Sequence, residues 1–156
     1  MHPVEQRPPA AGVSGFAAVP VAIERTRVLR HEVLRPHDTL EQVVAAEPPG
    51  AFAVGVFEHG TLIATGFVMR DEAPGDWRIR GMATVAAARG RGAGTAVLEA
   101  LIEHARERGA RRVWCNARTP ALSLYLRAGM AVVSEEFELP RIGPHFVMER
   151  VFSPAT

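Results

Sequence analysis

The sequence of 156 residues contains no lysine, and all 18 of its basic residues are arginine. Without a lysine amine the chain has no residue for lysine-based Schiff-base catalysis. A P-loop is excluded as well, since that motif ends in Gly-Lys-Ser/Thr and uses the lysine to reach the phosphates. A GC-rich coding bias accounts for the absence of lysine more simply than a functional cause does.

Cysteine is equally scarce, because Cys115 is the only one. An intramolecular disulfide and a cysteine-based metal cluster are therefore excluded, and no metal site is expected. Apolar runs are too short for a membrane helix of roughly 20 residues. The formal net charge of +1 does not favour binding to nucleic acid. Residues 1–15 lack the order of a signal peptide, so we expect a loosely ordered lead-in and a cytoplasmic protein.

The composition predicts one domain over residues 1–156, since 47% of the residues are hydrophobic and 22% are charged. Hydrophobic periodicity predicts helices over 21–34, 40–46, 92–108 and 119–129, and strands over 16–19, 51–57, 61–69, 77–85, 112–116, 132–139 and 146–152. Pro20 is expected at the first position of the first helix. Arg25, Arg27, Arg30 and Arg35 are expected on a solvated face of that helix, and a role in a pocket for an acidic acceptor is the alternative. This order predicts an α/β or α+β domain with a mixed sheet covered by helices.

The segment 79–94 runs from a strand through a glycine loop into a helix. Glycines allow positive φ angles and a close approach of the backbone to a ligand. The first amides of a helix have no internal partner and favour an anion. Arg89 and Arg91 add positive charge at the same place. The segment therefore predicts a site for a phosphate-bearing ligand.

A glycine loop of this kind also occurs in dinucleotide-binding and ATP-dependent enzymes, and as a simple turn into a helix. The dinucleotide fingerprint fails at its last glycine, which is Thr95 when counted from Gly90 and Val97 when counted from Gly92. The missing lysine and the lack of a clear acidic motif for Mg²⁺ argue against an ATP-dependent enzyme. The two arginines and the preceding strand argue against a simple turn.

The spacing Arg-x-x-Gly-x-Gly, formed by Arg89, Gly92 and Gly94, resembles the coenzyme A pyrophosphate loop of the GNAT N-acetyltransferase superfamily. A strand that ends in Met-Ala-Thr-Val precedes the loop. Further along, Tyr-Leu-Arg-Ala-Gly-Met at 125–130 is similar to the Tyr-x-x-x-Gly-Phe signature of that family, with methionine in place of phenylalanine. The resemblance covers residues 78–133.

The resemblance implies a GNAT-type mixed sheet, mostly antiparallel, flanked by helices and splayed between its fourth and fifth strands. It implies acetyl-CoA as cosubstrate, with loop amides on the pyrophosphate and strand-four backbone groups on the pantetheine arm. The cofactor-binding residues it implies are Met82, Ala83, Thr84, Arg89, Gly90, Arg91, Gly92, Ala93, Gly94 and Asn116. Residues 137–145 are also similar to the closing segment of an ElaA-like branch.

The resemblance further implies direct attack of a primary amine on the thioester in a ternary complex. The thioester oxygen needs a donor, for which the amide of Ala83 or Thr84 is the candidate. Tyr125 matches the family's general acid, although a helix aromatic that only packs on the sheet is the alternative. The candidate bases are Glu32, Glu136, Glu138, His145 and an ordered water. We assign Glu138 and His145, the latter placed before the last strand, to catalysis with Tyr125.

An inactive module that binds or senses acyl-CoA is the alternative function, and the presence of Tyr125 argues against it. Amino acids, polyamines, antibiotics and protein N-termini all fit as amine acceptors. Relatives commonly form homodimers. Asn116 fits equally well as a residue that satisfies the backbone at a strand end, and Cys115 is expected to be a buried apolar residue.

Overall fold

The computed structural model describes residues 15–153. The lead-in predicted for 1–15 lies outside this range, apart from Gly15. The helices are α1 (Arg27–Leu34), α2 (Leu40–Ala45), α3 (Ala93–Glu107) and α4 (Leu122–Arg127). The strands are β1 (Val19–Val21), β2 (Phe52–Glu58), β3 (Thr61–Arg70), β4 (Asp76–Thr84), β5 (Arg112–Arg118), β6 (Ala131–Val132), β7 (Phe137–Leu139) and β8 (Gly143–Val151). Within residues 15–153, no helix has the length and hydrophobicity of a membrane span.

The strands form one sheet in the order β1-β2-β3-β4-β5-β8-β6, with β7 paired to β8. Its pairs are antiparallel except for β4 and β5, which run parallel. Helix α3 covers one face, where a Cβ on Gly66 would meet Val97 and Leu101. Helix α1 covers the other face, where Arg30 lies over the ring of Phe67. The predicted fold class, a mixed sheet flanked by helices, is confirmed.

The sheet opens between β4 and β5, as predicted. The two strands pair only over 76–78 and 112–114, although β4 continues to Thr84 and β5 to Arg118. A β-bulge lies on the open part of β4, where Gly81 and Met82 stand opposite Gly66 of β3, and Gly81 has a φ of 71°. Because bulges bend a strand and increase its twist, this bulge helps to turn the end of β4 away from β5.

The N-terminal prediction was wrong in two respects. The first strand covers Val19–Val21 and includes Pro20, which therefore does not begin a helix. Among residues 15–153, β1 pairs only with β2 and lies at the edge of the sheet, where the missing amide hydrogen of proline is tolerated. Helix α1 starts at Arg27, after the 3₁₀ turn Ile23–Thr26.

The single strand predicted over 132–139 is divided into β6 and β7. Ser134 lies between them, and its Oγ accepts a 2.9 Å hydrogen bond from the Val147 amide. This side-chain bond takes the place of a bond in the β-ladder. The last strand also begins earlier than predicted, so that His145 lies inside β8 and not before it.

The expectation of a solvated arginine face was wrong for Arg30, which is only 5% exposed. Its Nε donates to Thr26 Oγ1 at 3.0 Å, and its Nη2 donates to the Glu47 carboxylate. Arg27 donates two further hydrogen bonds of 2.8 Å to the same carboxylate. The bonds from Arg27 and Arg30 hold the pKa of Glu47 below its ordinary value although burial raises it. Glu47 thus ties α1 to the segment that follows α2.

Replacing Glu47 with glutamine is expected to lower the free energy of unfolding by about 2 kcal/mol, because Arg30 then stays buried without a counter-charge. At this size, the Tm measured by calorimetry falls by about 4–8 °C. The depressed pKa makes this contribution complete above the unfolded carboxyl pKa of about 4.3. It is lost as the pH falls through the lower folded value, so the two proteins converge in acid.

The matched control is Glu103→Gln, because the Glu103–Arg106 pair is exposed. Exposed ion pairs contribute little to stability, so this variant is expected to keep the wild-type Tm. An equal loss of Tm in both variants at pH 7 would contradict the role given to Glu47.

Candidate active site

The glycine loop, residues 90–94, leads from the segment after β4 into α3. Gly90 and Gly92 have φ angles of 77° and 97°, and Gly92 is the N-cap of α3 without a side-chain cap. None of the amides of 90–94 donates a hydrogen bond to a described residue. A row of such amides at a helix N-terminus suits an anion.

The two arginines of the loop differ in their surroundings. Arg89 Nε donates to the Thr84 carbonyl at 3.2 Å, which lays this exposed side chain along the end of β4. Arg91 forms an ion pair with Glu58 and lowers the pKa of that carboxyl through their hydrogen bond. Within residues 15–153, Arg89 has no carboxylate partner, whereas the charge of Arg91 is balanced.

The space between the start of α3, the end of β4 and α4 is narrow. A Cβ on Gly94 would lie 3.4 Å from Thr84 Oγ1 and 3.8 Å from Leu124 Cδ2, so a larger side chain would fill this space. The backbone of Met82, Ala83 and Thr84 follows the open edge of β4, with which no described strand pairs on the β5 side. The strand edge and the loop amides therefore both leave backbone groups open to a ligand.

Tyr125 lies on α4 with 6% of its surface exposed, in the hydrophobic core that also contains Cys115 of β5. Burial raises the pKa of its hydroxyl, and the charge of Arg118 opposes that rise. The hydroxyl makes no hydrogen bond to a described residue and is free to donate to a ligand. Burial also raises the pKa of the Cys115 thiol to about 12, which keeps it protonated at neutral pH.

His145 stands in β8 with Arg118 opposite it on β5 and Phe137 opposite it on β7. Its Nδ1 lies 2.7 Å from the Gly143 carbonyl oxygen. Because a carbonyl only accepts, Nδ1 donates its proton to that oxygen, which leaves Nε2 as the ring nitrogen that faces a ligand. Glu138 is exposed, and strand alternation turns it to the face opposite Phe137. The two assigned bases thus lie on opposite faces of the sheet.

The other expected site residues are more dispersed. Asn116 is half-buried on the open part of β5, and its carboxamide makes no hydrogen bond to a described residue. Glu136 accepts a 2.8 Å hydrogen bond from Thr119 Oγ1 just beyond β5. Glu32 is exposed on α1. Their roles stay predictions.

Comparison with known proteins agrees with this geometry. Residues 21–130 match the model of the Acetyltransferase (GNAT) family. The chain belongs to the GNAT family. The uncharacterized N-acetyltransferase YitI of Bacillus subtilis is 36% identical over 135 residues, which cover 82% of this chain and 91% of that protein. As a GNAT protein the chain is an acyltransferase, in a family whose enzymes use acyl-CoA.

Solved GNAT structures share the fold. Escherichia coli ElaA gives a TM-score of 0.73 at 16% identity, over 86% of this chain and 99% of that chain. A Bacillus subtilis acetyltransferase in complex with CoA gives a TM-score of 0.65 at 14% identity, over 88% and 99%. At such identities the likeness bears on the fold alone.

This GNAT protein also carries arginines at the splay that sequence reasoning missed. Arg78 and Arg80 flank Ile79 on β4, and Ile79 is only 2% exposed on the α3 face. Strand alternation places both arginines on the opposite face, toward α1. The sequence pattern Arg-Ile-Arg within the predicted strand 77–85 indicates two arginines on one face of that strand.

Proposed function

We propose that this GNAT enzyme transfers an acetyl group from acetyl-CoA to a primary amine by direct attack in a ternary complex. The observation that supports this most is the row of unpaired amides at 90–94 beside the open edge of β4. An extended arm that ends in a pyrophosphate needs both features, because the strand edge bonds the arm and the amides bond the phosphates.

Each expected cofactor-binding group has a place in this proposal. The loop amides and the Arg89 guanidinium hold the pyrophosphate, and the backbone of Met82, Ala83 and Thr84 bonds the pantetheine arm. The free carboxamide of Asn116 bonds the arm from the β5 side. Arg91 contributes its amide, since its side chain is paired with Glu58.

Acetyl-CoA supplies its acetyl group as a thioester, whose C–S bond breaks as the C–N bond to the amine forms. The amide of Ala83 or Thr84 donates to the oxygen on which charge develops. His145 Nε2 accepts the proton that the amine loses, directly or through a water. The Tyr125 hydroxyl donates a proton to the leaving sulfur.

Acetyl-CoA is expected to raise the Tm, because a ligand at about 100 times its Kd adds roughly 2.7 kcal/mol to stability. At this chain length the rise is several degrees. Scanning fluorimetry with free CoA, ATP and NAD supplies the controls, of which only CoA should act similarly. A rise with ATP alone, or with none of the four, would remove the basis of the proposal.

An acyl-CoA-binding module without turnover is the second candidate, and the burial that raises the pKa of Tyr125 favours it. Measuring CoA release from acetyl-CoA with a panel of primary amines distinguishes the transferase from the binding module. Release that depends on an added amine supports the transferase. A rise in Tm without any amine-dependent release supports the module.

A further inference from the structure

Four arginines lie at the splay on the α1 face of the sheet. Arg78 and Arg80 reach from β4, and Arg118 reaches from the end of β5. Arg35 is the C-cap of α1, whose last residue, Leu34, offers its carbonyl to Arg118. These four residues, called the arginine cluster below, lie beside the place where the proposed amine must approach.

The backbone uses only a small part of the donor capacity of the arginine cluster. Arg80 Nη2 donates to the Ala46 carbonyl at 3.5 Å, and Arg118 Nη2 donates to the Leu34 carbonyl at 3.2 Å. Each guanidinium has five N–H donors, so most of them have no partner among the described residues. The Nε of Arg78 is buried and has no hydrogen-bond partner there.

The charge of the arginine cluster is not balanced by carboxylates. No described carboxylate lies within 4.0 Å of any of its four guanidinium groups. Burial lowers the pKa of Arg80, and so do the charges of Arg78, Arg35 and Arg30. Burial and the charge of Arg35 likewise lower the pKa of Arg118.

Neighbouring charges lie at the edges of the arginine cluster. Arg30 is compensated by Glu47. Asp71 accepts a hydrogen bond from Trp114 Nε1 at 2.7 Å, and the ring of Trp114 lies under the Arg78 guanidinium, 4.5 Å from its Cζ. The Asp71 carboxylate is therefore a distant counter-charge for Arg78. In contrast, the charged groups that shift the pKa of Arg80 are all arginines.

Helix capping alone does not explain this arrangement. A cation near the last carbonyls of a helix is favourable, and Arg80 and Arg118 each meet such a carbonyl. One exposed cation at each helix end is enough for that purpose. Half-buried like charges disfavour one another, and the cost is offset when a bound anion accepts their free N–H groups.

We propose that the acceptor is a small amine that also carries a carboxylate or phosphate group, which Arg80 and Arg118 bind at the splay. Arg118 stands opposite His145, the proposed base, in the pairing of β5 with β8, so the anion site adjoins the proposed reaction centre. The anionic group fixes one end of the acceptor and leaves its amine to reach the thioester. This proposal rests on the transferase function argued above.

The test uses matched amines that differ mainly in the anionic group. The pairs are β-alanine with 3-amino-1-propanol, L-phenylalanine with 2-phenylethylamine, and O-phosphoethanolamine with ethanolamine. The kcat/KM of CoA release is measured at saturating acetyl-CoA, and the Kd of each amine is measured on the CoA-loaded protein. In at least one pair the anionic member is expected to be preferred at least tenfold. The first two pairs test carboxylate and the third tests phosphate.

Arg80→Gln is expected to reduce this preference about tenfold, and Arg80→Lys to retain part of it. Arg111→Gln is the matched control, because exposed Arg111 precedes β5 and lies about 23 Å along the strand from Arg118. All three variants should keep the rise in Tm with acetyl-CoA, which separates this test from that of the transferase function.

Three outcomes would overturn the anion site while leaving acetyl-CoA binding intact. They are equal use of both members in every pair, binding of neither member in any pair, and an unchanged preference in Arg80→Gln. A loss of preference in Arg111→Gln as large as in Arg80→Gln would also overturn it. A protein without any response to acetyl-CoA would instead contradict the proposed function.

Discussion

Replacing Tyr125 with phenylalanine is expected to lower kcat at least a hundredfold and to leave the Kd of acetyl-CoA within about twofold. General acid catalysis contributes roughly 10²- to 10⁴-fold. The substitution removes only the hydroxyl, and that group makes no hydrogen bond to a described residue. The fold should therefore be kept, and the effect should appear in turnover.

The surroundings of Tyr125 affect its role as an acid in two opposite ways. Burial raises its pKa, so it stays protonated throughout the pH range in which an amine is acetylated. A pKa far above the roughly 8.5 of a thiol would make proton transfer to sulfur uphill. The charge of Arg118 opposes the rise, but burial is the larger effect and the pKa of the hydroxyl stays above its ordinary value.

Ser123→Ala is the matched control for Tyr125→Phe, because it removes an exposed hydroxyl from the same helix. It should keep the wild-type kcat. Rapid-quench measurement of the acetylated amine under single-turnover conditions reports the chemical step rather than product release. A Tyr125→Phe rate equal to wild type would show that the tyrosine only packs against β5.

The glycine loop and the order of elements could be predicted because their signals are local. The spacing of Arg89, Gly92 and Gly94 lies within six residues, and the period of apolar residues in α3 lies within four turns. At the loop the period of the apolar residues changes from that of a strand to that of a helix. This change predicts the end of the strand, the turn and the start of the helix. The opening between β4 and β5 followed from the resemblance and agrees with the structure.

The charge relations around the site could not be predicted, because they join residues that are far apart in sequence. Arg91 is 33 residues from Glu58, and Arg118 is 84 residues from Leu34. Periodicity assigns a residue to a face but does not say what packs over that face. Periodicity therefore predicted a solvated arginine face on the first helix, whereas Arg30 of that helix is buried in the fold.

The same long-range packing connects binding of the two substrates. On the proposed assignment the acyl donor lies along β4 and the loop, whereas the acceptor meets the arginine cluster on the α1 face. Both sites use the ends of β4 and β5 beyond residues 78 and 114, where pairing stops. The unpaired ends thus supply a free strand edge for the arm and space for the amine beside Tyr125.

Replacing Gly92 with alanine is expected to weaken acetyl-CoA binding about a hundredfold. A non-glycine residue at a φ of 97° is strained by about 1–2 kcal/mol, and the backbone relieves the strain by rotating away from this conformation. The rotation turns the following amides of Ala93 and Gly94 out of line with the phosphates. Two lost hydrogen bonds to a charged group account for an effect of this size.

Gly109→Ala is the matched control, because Gly109 follows the other end of α3 with a φ of 86° and has nothing within 4 Å of an added Cβ. Both variants should lose similar free energy of unfolding in urea, since the strain is of the same kind. Only Gly92→Ala should lose affinity for acetyl-CoA by calorimetric titration. If the two variants bind acetyl-CoA equally well, the amides at the start of α3 do not hold its phosphates.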